Sequence, residues 1–245
     1  GNWLDFNAPL PANPGYAALA HRLLPQRWPP PLLNEAAIAL YALRHGKRAL
    51  QTAISAGQHE FPEGLFHSGT APTWSNQTVR SVLRQHASRC ARLAWIDIHT
   101  GLGPSGLGER IYAGRDDPAA VARARQWWDG GGATPVTSIY DGSSSSAFLT
   151  GLMWTSVDQE CVQAEYTGIA MEYGTLPMME VMVALRGEHW LHGHPEAPAG
   201  QARQIKQQLM DAFYTDTDAW KGQIISQARQ AMFQAVTGLA GAAGA

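Results

Sequence analysis

Between positions 33 and 55 apolar residues recur at Ala36, Leu40, Leu43 and Ala49, near helical spacing, in a stretch rich in Ala, Leu and Arg. That pattern predicts a helix, which Gly46 interrupts or bends. An earlier helix is predicted over residues 15–24, entered from Asn13-Pro14 because proline's fixed φ suits a first helical turn, and stopped by Trp28-Pro29-Pro30-Pro31. Pro9, Pro11 and Pro14 predict an extended opening segment. Residues 57–74, dense in Gly, Pro, His and aromatics, read as a long loop, and Ser75-Asn76 then offers an N-cap to a helix with Val79, Leu83 and Ala87 along one stripe.

A different period follows. Leu93-Ala94-Trp95-Ile96-Asp97-Ile98 is a short, nearly continuous apolar run with polar residues at its end, the pattern of a buried parallel strand. Four glycines and a proline within residues 101–108 predict a loop, and residues 109–112 a short strand. Asp117-Pro118 opens a helix through Trp128, which Gly130-Gly131-Gly132 ends. Strands are predicted over 136–140 and 166–173, and helices over 178–189, 201–213 and 220–239, before a small-residue tail at 240–245. Strands separated by helices predict a three-layer α/β fold, a mixed central sheet flanked by helices, as one domain over residues 1–245. No internal repeat is visible.

Composition narrows the function classes. With 18 Lys+Arg against 20 Asp+Glu the formal net charge is −2, which removes the basic footprint of a nucleic-acid binder. No stretch approaches the roughly 18 apolar residues of a membrane span, and no secretory signal opens the chain. At 45% hydrophobic residues there is material for a sizeable core, which excludes disorder. Cys90 and Cys161 cannot build a disulfide framework or a Cys-rich zinc cluster. A reducing compartment is compatible with two cysteines, and a cytoplasmic location is expected.

Ligands of α/β sheets sit outside the carboxyl ends of the strands, and three polar residues fall at such places: His99, Tyr140 and Glu172. Taken singly, each reads as structural: a strand-end histidine, a capping or paired glutamate, a packing tyrosine. Taken together they are the kit of a metal-assisted hydrolase, in which a His binds Zn²⁺ and a Glu takes a proton from water. Glu188, His189, His192, His194 and Glu196 have metal-like spacing, but read more simply as a solvated helix end. His59, Glu60 and His67 could shape a nearby cleft from their loop. Residues 143–146, four serines, lack the strand-turn-helix context of a serine nucleophile, and residues 130–132 lack the Lys-Ser/Thr of a phosphate loop.

Local context adds a resemblance. Ile96-Asp97-Ile98-His99-Thr100-Gly101-Leu102-Gly103-Pro104 resembles the third zinc-ligand segment of the M14 zinc carboxypeptidase superfamily, most of all its DUF2817 branch. Met171-Glu172-Tyr173-Gly174-Thr175 is similar to the segment carrying the general base, and Gly57-Gln58-His59 through Phe66, with Pro72-Thr73-Trp74-Ser75-Asn76, to a Gly-Gln loop. Asn2-Trp3-Leu4-Asp5-Phe6 looks like the segment after an Asn-Arg clamp for the substrate carboxylate. The match of Ile139-Tyr140-Asp141-Gly142-Ser143 to the loop of a mobile Tyr is the weakest. The resemblance covers most of residues 2–196.

It implies zinc-dependent hydrolysis of a peptide or amide bond, with His99 as a zinc ligand, Glu172 as the base and Tyr140 near the oxyanion. An N-acyl amino acid deacylase is the alternative within enzymes. A non-catalytic, peptide-binding remnant is the alternative outside them. The implied substrate is a peptide or N-acyl amino acid. One departure matters: the family's first two zinc ligands come from a His-x-x-Glu motif, and no His in this sequence is followed three residues later by Glu. The chain is therefore expected to be the later part of a longer enzyme or an inactive remnant, and not to retain zinc, since one imidazole cannot hold a catalytic ion that needs three protein ligands.

Overall fold

A computed structural model describes residues 12–132 and 134–241. The extended opening predicted around Pro9 and Pro11, the segment Asn2 to Phe6 and the last four residues lie outside them. In chain order the elements are α1 (Pro14–Leu23), α2 (Leu32–His45), α3 (Lys47–Ser55), α4 (Trp74–Val82, widening into a π-helical turn over Leu83–Ala87), β1 (Arg92–Ser105), β2 (Gly108–Tyr112), α5 (Pro118–Trp128), β3 (Val136–Thr137), α6 (Thr155–Glu160), β4 (Glu165–Gly174), α7 (Met178–His192), α8 (Ala199–Phe213) and α9 (Asp218–Gly241).

The helix boundaries follow local chemistry. The Asn13 side chain accepts the Tyr16 N–H at the start of α1, and Asp117 accepts from Ala119 before Pro118 in α5. Gly46, at φ 90°, separates α2 from α3, the interruption of the helical stretch that the sequence predicts there. The cap of α4 is Thr73 rather than Ser75-Asn76: its hydroxyl accepts the Asn76 N–H, which moves the helix start two residues earlier.

The sheet is mixed, in the order β1-β4-β2-β3, with β1 parallel to β4, β2 antiparallel to β4 and β3 parallel to β2. One face, carrying Ile169, Met171, Tyr173 and Tyr112, packs against Ala120, Ala124 and Trp128 of α5 and Ala231 and Ala235 of α9. The other, carrying Ile111, Ala170 and Tyr166, packs against Leu83, Ala87, Trp154 and Val157. Helices on both faces make the three-layer α/β fold that alternating strands and helices predict. A further cluster joins α1, α2 and α3 to Met182 of α7.

Two strand expectations need correction. Residues 101–105 belong to β1, because Gly101 and Ser105 both pair with Gly174 across a register shift, so the glycines bulge rather than leave the sheet. The strand expected over 136–140 ends at Thr137. There the Ser143 hydroxyl accepts the Ser138 N–H at 2.9 Å and the Ser138 hydroxyl accepts the Tyr140 N–H at 3.1 Å, so side chains replace ladder partners.

The helical layer also holds a buried charge. The Arg186 guanidinium of α7, whose side chain is 0% exposed, donates to both Glu35 oxygens at 2.9 and 3.1 Å and to the carbonyls of Leu23 and Arg22. Glu35 is itself partly open to solvent. Glu35→Ala should therefore cost about 1.5–3 kcal/mol, the range for a charged hydrogen bond lost from a buried donor. Urea unfolding checks it: an unchanged midpoint would show that the backbone carbonyls suffice.

Candidate active site

The strand pairing places chemistry in rows. His99 of β1 is in register with Glu172 of β4, and Glu172 with Glu109 of β2. The next row toward the start of β4 is Asp97, Ala170 and Ile111. Paired residues and residues two apart share a face, so all six point to the same side of the sheet. On that side lies a cavity of about 420 Å³, lined by Asp97, His99 and Glu172 together with apolar side chains from α3, α7 and residues 149–154.

His99 stands between two carboxylates. Its Nε2 lies 2.7 Å from an Asp97 oxygen, and its Nδ1 lies 3.9 Å from Glu172 Oε2. The Asp97 carboxylate thereby accepts the hydrogen bond of the Nε2–H and leaves Nδ1 turned toward Glu172. The hydrogen bond to Asp97 raises the His99 pKa against the opposing effect of burial. Burial likewise raises the Glu172 carboxyl, opposed by a hydrogen bond from the backbone and by His99. That hydrogen bond comes from the Leu102 N–H at 2.9 Å, and Leu102 sits in the β1 bulge.

Glu109 extends the row but not the cavity lining. Its carboxylate accepts the Thr137 hydroxyl at 2.6 Å and the Ser145 N–H at 3.0 Å, and meets the Ser145 hydroxyl as well. Arg48 donates to the carbonyls of Ser144 and Ser146, and Gln51 to that of Ser145. The serine run is thus tied down at every residue from 144 to 146, and Ser146 reaches the cavity wall.

The structure brings His99 and Glu172 together and sets Tyr140 apart. Tyr140 is not among the residues lining the cavity. Its hydroxyl donates to the Gly114 carbonyl at 2.7 Å, and the residue lines a separate shallow depression with Asp116, Arg125 and Asp141. Of the loop 57–74, Leu65 and Phe66 reach the cavity, whereas His59, Glu60 and His67 do not. Gln58 fixes this loop from within: it is 1% exposed, donates to the carbonyls of Phe61 and Leu65 and accepts from the Phe61 N–H. Phe66 holds a φ of 55°, a conformation rare outside glycine, at the cavity wall.

The histidines at and just beyond the end of α7 have local partners. His192 pairs with Glu188 at 3.2 Å, Lys206 contacts the same carboxylate, and His194 stacks on Trp190 with ring centroids 4.3 Å apart. His189 is pushed down by burial. Sequence reading passed over Asp97 and Glu109. Asp97 was legible as the polar residue two before His99, but the place of Glu109 depends on an antiparallel pairing that no local pattern shows.

A catalytic zinc needs three protein ligands. His99 offers one imidazole nitrogen, its other nitrogen being held by Asp97, and among the described residues no group of three or more His, Cys, Asp or Glu could hold a metal ion. These residues by themselves do not fit a zinc site. The purified chain, dialysed after loading with zinc, should retain well under one ion at this cavity. One tightly held zinc by elemental analysis, lost in His99→Ala, would contradict that.

Fold and cavity define an α/β protein with an imidazole–carboxylate pair facing each other across adjacent parallel strands, His99 midway along β1 rather than at its end as the sequence predicts, and Glu172 near the end of β4. A family model described as "Protein of unknown function (DUF2817)" matches residues 1–227, and the chain belongs to that family. No curated protein and no solved structure matches it. Among the described residues no helix is long and apolar enough to cross a membrane.

Proposed function

We propose that the cavity is the hydrolytic centre of an amide hydrolase resembling the zinc carboxypeptidases, acting on a peptide or an N-acyl amino acid. The observation that carries this reading is the pairing of Glu172 with His99 across the adjacent strands β1 and β4, inside a largely apolar cavity. A carboxylate raised by burial is a better proton acceptor near neutral pH than one in water. In this reading Glu172 takes the proton of an attacking water and returns it to the leaving amine. The Leu102 N–H holds Oε1, so Oε2 is the oxygen that faces His99 and carries the proton. Asp97 fixes the imidazole ring. Zinc belongs to the resemblance, and because the described residues do not complete its ligand set, no step is assigned to it.

The incomplete ligand set favours a second reading, a cavity that binds a peptide without cleaving it. Release of free amine from dipeptides and N-acyl amino acids by the full-length gene product, with zinc supplied, separates the two. Turnover above the buffer rate supports hydrolysis. Saturable binding with no amine released supports the second reading and overturns the first.

A further inference from the structure

The walls of the cavity are mostly apolar. Its floor is the sheet row Ala170 and Ile111, and Leu50 of α3 and Val181 and Met182 of α7 stand around it. All five are buried, Leu50 to 1% exposure. Ala170 lies on β4, between β1 and β2, where the small side chain leaves room above the floor. The ionisable residues of the lining are Asp97, His99 and Glu172, and none of the described lining residues is Lys or Arg. Arg48, on the same helix as Leu50, donates its guanidinium to the carbonyls of Ser144 and Ser146 instead. An anionic group entering here would leave water and meet two carboxylates and no Lys or Arg among the described lining residues, the His99 imidazole being already held by Asp97 and facing Glu172. An uncharged apolar group meets a surface that gains from covering it.

We infer that the cavity selects amides whose inserted group is a large, uncharged apolar side chain or acyl chain, and excludes acidic ones. This rests on the reading of the cavity as the amide-binding site. Leu149 and Met178, half-buried in its lining, are the residues at which that selection can be altered without cutting into the core.

The test is binding first and turnover second. N-acetyl-leucinamide, N-acetyl-phenylalaninamide and the α-amide of N-acetyl-aspartic acid are titrated into the full-length gene product by calorimetry. The apolar probes should bind roughly ten- to a hundredfold more tightly than the acidic one, the span expected from fully burying a Leu or Phe side chain. Leu149→Arg and, independently, Met178→Arg should narrow or reverse that ratio. Equal or tighter binding of the acidic probe overturns the inference, as does failure of all three to bind. Amine release on the same samples separates the two claims. Apolar probes that bind but are never cleaved sink the hydrolytic reading and leave the selectivity standing. Cleavage that favours the acidic probe does the reverse.

Discussion

Gly174→Ala should lower the stability of the chain by about 3 kcal/mol or more, the upper end of what overpacking costs. A Cβ at position 174 would lie 2.1 Å from the Gly103 carbonyl oxygen and 2.2 Å from that of Pro104. Both are backbone atoms of the β1 bulge, so no side-chain rotation can make space. The glycine is required by this close approach and not by an unusual φ. Its carbonyl also accepts the Gly106 N–H and the Trp220 indole N–H, both at 3.0 Å, so a shifted strand end would loosen α9 as well. The same bulge aims the Leu102 N–H at Glu172, and the substitution should therefore disturb the site along with the fold. Thermal and urea unfolding measure the first effect. A Gly174→Ala chain as stable as the wild type would mean that the bulge is not held where the structure has it.

That bulge also marks where the sequence stopped being readable. The apolar run from Leu93 to Ile98 announces a strand, but glycines at 101, 103 and 106 announce a loop, and local propensity cannot anticipate that Gly101 and Ser105 will share Gly174 as partner. Helix α6, six residues long, carries too little periodicity to be read beforehand. The long helices α5, α7, α8 and α9 were legible because Pro118, the glycines after Trp128 and the apolar spacing are local signals. For the site, strand ends pointed to His99 and Glu172. Tyr140 was misplaced by the same reasoning: the strand was expected to run to position 140, and serine hydroxyls end it at Thr137. Tertiary pairing, which alone brings Glu109 beside Glu172, leaves no trace in one sequence.

The second large effect concerns Glu172 itself. Gln keeps the size of the side chain and an oxygen for the Leu102 N–H, but cannot accept the proton of a water molecule. General acid–base assistance is worth on the order of 10²–10⁴-fold, so Glu172→Gln in the full-length gene product should lower amide hydrolysis by about that factor. Binding of the apolar amide probe should stay within about threefold, since the apolar walls are untouched. A purely structural Glu172 predicts the opposite pattern, a lower melting temperature with the rate of the folded fraction unchanged. The deciding measurement is therefore kcat for one cleavable amide in wild type and Glu172→Gln, taken beside their melting temperatures. The account predicts a hundredfold or greater loss of kcat with the melting temperature preserved; a folded Glu172→Gln chain that still turns over at the wild-type rate would contradict it.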